Sequence, residues 1–301
     1  RNRSATGTSS LNTGPNRSGI TAAAYWICRW GPTATNRDSA DIRGAAQSRW
    51  GQTVNVYRVR QATANPSARA VLRSWPLDVS ICHLSLADVS MVPTSDQVDG
   101  WLAAAYAAPS PVVAVRTGAL FPAAAAVFAE RGFVVIDRLV LLERALHGNH
   151  LPKHQQHETA DLRRARRRDL ETMASIDQSA FRPGWRNDGV SLAAIANATP
   201  SFRSRLAYVR RPHSSVAGFA ITGKAGSTGY LQRIAVHPKM QQLGIGRQLV
   251  DDALKWLIRR GTSRALVNTG VDNFSALAMY ERASFERLGD ELVILEHRQK
   301  P

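Results

Sequence analysis

The sequence has little cysteine, little lysine and no long apolar run. Its 301 residues include two cysteines, Cys28 and Cys82, which are too few for a disulfide framework. No apolar stretch approaches the roughly 20 residues that a membrane-spanning helix needs. The polar N-terminus also lacks the apolar segment of a signal peptide. We therefore expect a cytoplasmic protein with no membrane partner.

Lysine is scarce, and arginine supplies nearly all of the positive charge. Lysine occurs only at positions 153, 224, 239, 255 and 300, and the formal net charge is +16. Many alanines accompany the arginines, which is typical of a GC-rich bacterial genome and indicates no function by itself. A basic surface favours anionic ligands. Because no nucleic-acid-binding motif is present, we do not expect nucleic acid as a partner.

One segment in the second half of the chain predicts a strand, a glycine loop and a helix in that order. Residues 230–236 are rich in strand formers, and Pro238 ends the strand. A short loop with two glycines follows at 241–246, and apolar residues recur at helical spacing from Arg247. Such a loop presents unpaired backbone N–H groups at a helix N-terminus, which favours an anionic ligand.

Two common phosphate-binding motifs do not fit this loop. A P-loop requires Lys and then Ser or Thr after its last glycine, whereas Gly246 is followed by Arg247 and Gln248. A dinucleotide fingerprint requires a third glycine, and Leu249 occupies that position. An ordinary strand-loop-helix connection, with glycines for packing only, is the alternative to a ligand site.

The pattern Gln-x-x-Gly-x-Gly after a strand ending in Ala-Val-His-Pro closely resembles the pyrophosphate loop of the GCN5-related N-acetyltransferase (GNAT) superfamily. The resemblance continues downstream at Asn273, Ala276, Tyr280 and Phe285, and it covers roughly residues 158–298. It implies an α/β fold with a mixed sheet, acetyl-CoA as co-substrate, an amine acceptor and no metal.

The resemblance also implies roles for particular residues. Tyr280 would be the general acid that protonates the leaving thiolate, although a core aromatic is the alternative. Asn273 would contact the CoA arm, although it is equally suited to cap a helix. The remaining cofactor-binding residues are implied by the strand and its loop: Ile234, Ala235, Val236, Gln241, Gln242, Leu243, Gly244, Ile245, Gly246 and Arg247. Arg247 would add positive charge beside the pyrophosphate.

An earlier segment of the chain repeats this pattern in part. Residues 115–118 (VRTG) match 267–270 (VNTG), and at the same offset Phe128 stands where the later copy has Tyr280. Residues 139–143 then match 292–296 with one residue inserted. The first copy has no glycine loop. A duplicated GNAT-like domain whose first copy has lost its cofactor site would explain the repeat, and chance similarity is the alternative.

The sequence thus predicts four segments. Residues 1–49 are polar and arginine-rich, and we interpret them as a disordered tail. Residues 50–146 would form the degenerate GNAT-like domain, and 158–301 the catalytic GNAT domain. The catalytic domain would open with a basic strand at 162–168 that has one arginine-lined exposed side, followed by Asp169 as the N-cap of a helix at 170–180. Residues 147–157 contain four histidines but no supporting cysteine or carboxylate framework, so we interpret them as a linker and not as a metal site.

No general base is evident. Gln232 and Arg233 occupy strand positions where many GNAT relatives carry a carboxylate, and Asn268 is also uncharged. A water chain, or an acceptor that arrives neutral, would remove the need for a carboxylate. Three functions remain open: an N-acetyltransferase acting on a protein N-terminus, a lysine or a small amine; an enzyme resembling mycothiol synthase; and an acyl-CoA-binding regulatory module without catalysis. The sequence indicates neither the acceptor nor the oligomeric state.

Overall fold

The computed structural model describes five stretches of the chain. Two are short strands at 45–47 and 53–58, of which only the backbone is described, and three are longer, at 68–146, 159–209 and 215–299. Up to position 44, the expected disordered tail lies outside the described residues. The expected linker at 147–157 also lies outside them. Ala45–Gln47 belong to the expected tail but form a strand that pairs with the next one.

The strands of the described chain form one mixed sheet. In chain order they are β1 (Ala45–Gln47), β2 (Thr53–Arg58), β3 (Ala70–Trp75), β4 (Asp78–Leu86), β5 (Ala114–Thr117), β6 (Val134–Ala145), β7 (Asp161–Arg164), β8 (Ser201–Val209), β9 (Ser215–Ala225), β10 (Thr228–Val236), β11 (Arg264–Gly270) and β12 (Glu286–Arg298). Their spatial order is β1-β2-β3-β4-β5-β12-β6-β11-β10-β9-β8-β7. Two neighbouring pairs are parallel, β4 with β5 and β10 with β11, and the other pairs are antiparallel.

Helices cover both faces of this sheet. Within the described residues they are α1 (Ser95–Tyr106), α2 (Pro122–Ala129), α3 (Leu170–Ala180), α4 (Gly189–Asn197), α5 (Ile245–Arg259) and α6 (Phe274–Arg282). Phe219 and Ile221 of β9 pack with α3 and α4, whereas Ala220 between them packs with α5. Side chains of a strand alternate between the faces, so this strand is covered on both. The mixed α/β architecture predicted from the sequence is thereby confirmed. None of the described helices is both long and apolar enough to span a bilayer.

The predicted basic strand at 162–168 is wrong in its second part. Strand β7 ends at Arg164, and a 3₁₀ turn follows at Arg167–Asp169. Asp169 was expected to cap α3, but its Oδ2 accepts the backbone N–H of Arg166 at 2.6 Å and so stabilises the preceding turn. Arg163 and Arg164 are both exposed. Arginine therefore lines both sides of this edge strand, and not the single side that we expected.

The two halves of the chain exchange their last strands. We call the residues up to 146 the first half and those from 159 the second half. Strand β12 of the second half pairs with β5 through Glu296 and Arg116, and β6 of the first half pairs with β11 along seven residue pairs. The two exchanged strands also pair with each other at the centre of the sheet. The boundary expected between 146 and 158 therefore separates two chain segments but not two separate sheets.

Candidate active site

The two parallel strands of the second half part from one another. Strands β10 and β11 pair through three residues only, ending at Tyr230 and Leu266, and β10 then continues to Val236 beside β9 alone. A β-bulge between Leu231 and Arg233 marks the place of departure. Bulges bend a strand and redirect its side chains. The result is an open cleft between the C-terminal ends of β10 and β11.

The predicted binding strand offers backbone groups to this cleft. The N–H of His237 donates to Ala217 of β9 at 2.8 Å. Because hydrogen bonding alternates along an antiparallel pair, the backbone groups of Ile234 and Val236 are directed to the opposite edge, into the cleft. By the same alternation those of Ala235 are directed to β9. Of the three strand residues that the resemblance implied, two therefore offer a backbone N–H to a ligand.

The glycine loop ends in a helix N-terminus that no side chain caps. Gly244 stands at the N-cap of α5 with φ +80°, and Gln242 is also left-handed at φ +63°. Glycine adopts positive φ at little cost, which explains its presence at 244. In the described part of the chain, the backbone N–H groups from 242 to 247 have no hydrogen-bond partner. Unpaired N–H groups at a helix N-terminus bind anions, so the loop fits a pyrophosphate.

Two residues of this loop also contact helix α6 or the residue at its end. The Arg247 guanidinium donates to Asp251 Oδ1 at 2.9 Å and to the Arg282 carbonyl at 2.9 Å, so it links α5 to the end of α6. Its charge is already paired within the protein, and its expected role beside a pyrophosphate stays a prediction. A Cβ at Gly246 would lie 3.1 Å from Met279 Sδ, so this glycine also allows close packing of α6 on α5.

Asn273 is the N-cap of α6. Its Oδ1 accepts the backbone N–H of Ala276 at 3.3 Å, and its Nδ2 donates to Thr269 Oγ1 at 3.0 Å, across to the end of β11. The capping role, one of the two that the sequence allowed, is confirmed. A contact with the CoA arm stays a prediction.

Tyr280 is buried on the inner face of α6. Its ring packs edge-on against Phe285, with 5.7 Å between ring centroids, within the core formed by α5, α6 and the strands beneath them. In the described residues, no protein group hydrogen-bonds its hydroxyl. Burial raises the pKa of Tyr280 well above its usual range, and the positive charge of Arg233 opposes this effect. The tyrosine therefore retains its proton at neutral pH.

An ion pair that the sequence analysis missed lies beside the bulge of β10. Arg233 donates to both carboxylate oxygens of Asp177 on α3, at 2.7 and 3.0 Å, and its guanidinium stacks on Phe181. Asp177 is fully buried and also accepts the backbone N–H of Asn187 at 2.7 Å. One signal was available: Asp177 follows Ile176 on the apolar face of a predicted helix, where a carboxylate requires a partner.

Gln232, the other residue at the bulge, bonds to the protein and not to the cleft. Its Nε2 donates to the Ile195 carbonyl of α4 at 2.8 Å. Together with the pairing of Asp177, this means that Asp177, Gln232 and Arg233 offer no free carboxylate to the cleft.

Comparison with known proteins gives a family match for part of the chain. Residues 170–285 match the model described as the acetyltransferase (GNAT) family. A curated relative from Escherichia coli K12, the [ribosomal protein bS18]-alanine N-acetyltransferase, is 33% identical over 73 residues, which are 24% of this chain and 49% of the relative. The chain thus spans about half the length of the curated relatives that it matches.

Solved structures of low sequence identity share the fold over most of the chain. A GCN5-related N-acetyltransferase from Kribbella flavida matches with TM-score 0.55 and 16% identity, covering 81% of this chain and 90% of that one. One from Sphaerobacter thermophilus gives 0.55 and 14%, covering 83% and 78%. A tandem GNAT protein from the clavulanic acid biosynthesis pathway gives 0.54 and 12%, covering 83% and 81%. Residues 170–285 are thus similar to the acetyltransferase (GNAT) family, and the solved structures share the fold over most of the chain.

Proposed function

We propose that this chain is an acetyl-CoA-dependent N-acetyltransferase that moves an acetyl group to a primary amine. The observation that carries the proposal is the parting of β10 from β11 beside a helix N-terminus that no side chain caps. The N–H groups from 242 to 247 would bind the pyrophosphate, and those of Ile234 and Val236 would meet the pantetheine arm and the thioester oxygen. Acetyl-CoA would supply the activated acetyl group as a thioester.

Tyr280 is the proposed general acid. Acetyl transfer requires the amine to lose a proton and the leaving thiolate to gain one. A tyrosine whose pKa is raised by burial is protonated throughout the neutral range and can donate that proton at its hydroxyl. Asp177 would not serve as the base, because Arg233 occupies both of its oxygens. We therefore propose that the amine is deprotonated by water or binds in its neutral form.

We further propose that the first half is a GNAT-like copy without a cofactor site. At the repeat positions that match the cleft, β4 and β5 stay paired for four residues, and the Gly118 N–H then bonds to the Leu84 carbonyl at 2.8 Å. No cleft opens there. The N-terminus of α1 is also closed, since Thr94 and Gln97 cap it reciprocally.

The left-handed residues Gly132 and Ser284 stand at matching repeat positions and support the duplication. The solved tandem GNAT protein of similar fold supports it further.

Acetyl-CoA binding and CoA release test the proposed function. Calorimetry should detect one acetyl-CoA per chain. CoA release should then be measured with a peptide bearing a free N-terminal alanine, an N-blocked peptide with one lysine, spermidine and a small cysteinyl conjugate. The curated relative's name, which gives an alanine of a ribosomal protein as acceptor, justifies the first peptide. Absence of acetyl-CoA binding would contradict the proposal, and binding without release to any amine would favour the regulatory module.

Tyr280→Phe is the single substitution that tests the proposed general acid most directly. It retains the ring that packs on Phe285 and removes only the hydroxyl. We expect kcat to fall by about 10²–10⁴-fold, as loss of a positioned acid does, while acetyl-CoA affinity and thermal stability stay nearly unchanged. Phe128, at the matching repeat position, is fully buried and shows that the ring alone suits such a site. Wild-type turnover in this variant, with chemistry rate-limiting, would make the tyrosine a core residue only.

A further inference from the structure

The loop at 181–188, between α3 and α4, is fixed from the second half by Arg233. The guanidinium of Arg233 donates to the Trp185 carbonyl at 2.8 Å and stacks on the ring of Phe181, 3.4 Å from its centroid. Because Arg233 directly follows the bulge where β10 leaves β11, this loop borders the open cleft. We call residues 181–188 the acceptor-side loop.

The first half contacts the same loop through one carbonyl group. The carbonyl of Gly184 accepts the indole N–H of Trp75 at 2.9 Å and the Nη1–H of Arg116 at 3.2 Å. Gly184 has φ +83°, a conformation that favours glycine, and a Cβ there would lie 3.5 Å from the Arg116 guanidinium. That distance is an ordinary van der Waals contact, so the positive φ and not a lack of space favours glycine at this position.

The two donors are themselves held rigidly. Arg116 is 8% exposed, and its Nε and Nη2 both donate to Glu296 Oε2, at 2.8 and 2.6 Å. Its guanidinium carbon lies 4.5 Å from the ring centroid of Trp75, and Trp75 packs edge-on against Trp185 at 5.7 Å. A paired guanidinium between aromatic rings has little freedom, so the position of Gly184 is determined by strands β3, β5 and β12.

A second contact joins the loop to the first half nearer the solvent. Arg182 Nη2 donates to Asp137 Oδ2 of β6 at 2.6 Å. The side chain of Arg182 is 57% exposed, so this pair contributes little to stability by itself. It does, however, bring β6 of the first half to the rim of this loop. The next residue of β6, Arg138, accepts the Val271 N–H through its carbonyl just beyond β11.

We propose that Trp75 and Arg116 of the first half are positioning residues for the acceptor site of the second half. By fixing the carbonyl of Gly184 they orient Trp185 and, through it, Arg233 at the edge of the cleft. The first half thus sets how the amine acceptor binds, although β4 and β5 stay paired where β10 and β11 separate. This inference rests on the proposed function, because it assigns the acceptor-side loop to an amine substrate.

Two conservative variants of the whole chain test the proposal. Trp75→Phe retains an aromatic ring and removes the indole N–H. Arg116→Lys retains the charge that Glu296 requires, which avoids leaving a buried carboxylate unpaired, and removes the fork that reaches Gly184. Trp101→Phe is the control, because Trp101 is also buried, 1% exposed against 9% for Trp75, but packs on Phe128 of α2, away from the loop.

Amide hydrogen exchange of residues 181–188 is the first readout. We expect exchange about three- to tenfold faster in Trp75→Phe and Arg116→Lys, as loss of one hydrogen bond gives, with no change in Trp101→Phe. The second readout is kinetic. For the amine of the panel with the highest turnover, KM should rise by a similar factor, while the Kd for acetyl-CoA stays within about twofold, because the pyrophosphate loop is untouched.

The outcomes separate the two proposals. Loop exchange and amine KM equal to those of Trp101→Phe would overturn the positioning role, even if wild type is an active acetyltransferase. A parallel rise in the acetyl-CoA Kd would also overturn it, because the effect would then be general. A wild type that neither binds acetyl-CoA nor releases CoA would instead contradict the proposed function, and the exchange measurement would still report the contact at Gly184.

Discussion

At the scale of single residues, this protein buries charged side chains together with their partners. Asp177 and Arg116 are buried charges, and each has a partner that satisfies it: Arg233 for the first and Glu296 for the second. Removing one partner of a buried ion pair costs about 3–5 kcal/mol, whereas a well-packed apolar replacement of both is often neutral. A variant at either position should therefore conserve the charge or replace both partners together. Otherwise the loss of stability would obscure its effect on kinetics.

His83 makes the fold sensitive to acid. It is 4% exposed, and burial, with the nearby charges of Arg73 and Arg116, lowers the pKa of His83 to about 3. In the unfolded chain an ordinary histidine gains a proton below pH 6.5, so the unfolded state binds more protons between pH 6.5 and 3. The stability contributed by the neutral ring is complete above pH 6.5 and is lost as the pH falls through this window.

The prediction concerns the slope of stability against pH. Urea unfolding of wild type between pH 6 and 4 should lose up to about 1.4 kcal/mol per pH unit more than that of His83→Gln. Between pH 7.5 and 8.5 the two slopes should agree, which provides an internal control. Equal slopes over the acid range would show that His83 does not contribute.

At the scale of elements, helices α1 and α5 differ in whether side chains bond to their N-terminal backbone N–H groups. The N-terminus of α1 is capped by Thr94 and Gln97. Gly244 is the N-cap residue of α5, and no side chain caps that helix. Reciprocal capping satisfies the backbone donors that an anion would otherwise bind. The difference between a structural helix start and a candidate phosphate site is thus visible in two residues.

Substitutions at Gly246 should separate steric from electrostatic effects in the proposed phosphate loop. In Gly246→Ala the added Cβ meets the flexible end of Met279, so we expect acetyl-CoA binding to weaken by less than about tenfold. Gly246→Asp adds a negative charge at the helix N-terminus, where the pyrophosphate would lie, and calorimetry should detect no binding. Comparable affinities for the two variants would contradict this placement of the pyrophosphate.

An arginine from the other half of the chain donates a hydrogen bond to a carbonyl at the C-terminal end of α6. Arg144 of β6 is 7% exposed, and its Nη1 donates to the Ala283 carbonyl at 2.6 Å. Arg144→Leu should reduce the free energy of unfolding by about 1–3 kcal/mol in urea titration, because it leaves a buried carbonyl unpaired. Arg138→Leu, on the same strand but 56% exposed, is the control and should change stability by less than about 0.5 kcal/mol. Similar losses in both variants would count against the specific role of Arg144.

At the scale of the whole molecule, the exchange of β6 and β12 joins the two halves into one folding unit. Each exchanged strand lies between two strands of the other half, β12 between β5 and β6, and β6 between β12 and β11. Neither half can complete its sheet by itself, because an unpaired central strand exposes a row of unsatisfied backbone groups. An isolated first half is therefore a poor test of whether that half binds acetyl-CoA.

Separation of the halves should abolish folding. Residues 159–301 expressed alone would lack β6, which pairs with β11 along seven residue pairs, and we expect this fragment to be unfolded or aggregated by circular dichroism and gel filtration. Addition of a fragment ending at residue 146 should restore acetyl-CoA binding. A second-half fragment that is monomeric, folded and binds acetyl-CoA like the whole chain would contradict the structural need for the exchange.

Local signals in the sequence were enough to predict much of the fold and of the candidate site. Apolar spacing and the glycines at 244 and 246 indicated the strand, loop and helix of the proposed phosphate site, because these features depend on neighbours within a few residues. Helix α3 begins and ends where the pattern predicted, at Leu170 and Ala180. The capping of α6 by Asn273 was likewise readable from its position before an amphipathic segment.

Only the tertiary structure decided how distant segments meet. The exchange of β6 and β12, the ion pair of Asp177 with Arg233 and the bonds from Trp75 and Arg116 to Gly184 each join residues that are far apart in the chain. Periodicity reports which side of an element is buried but not which element covers it, since any apolar face of suitable size could do so. The sequence by itself therefore determined the strand, loop and helix on which the proposed site rests, and the packing of the two halves determined what borders them.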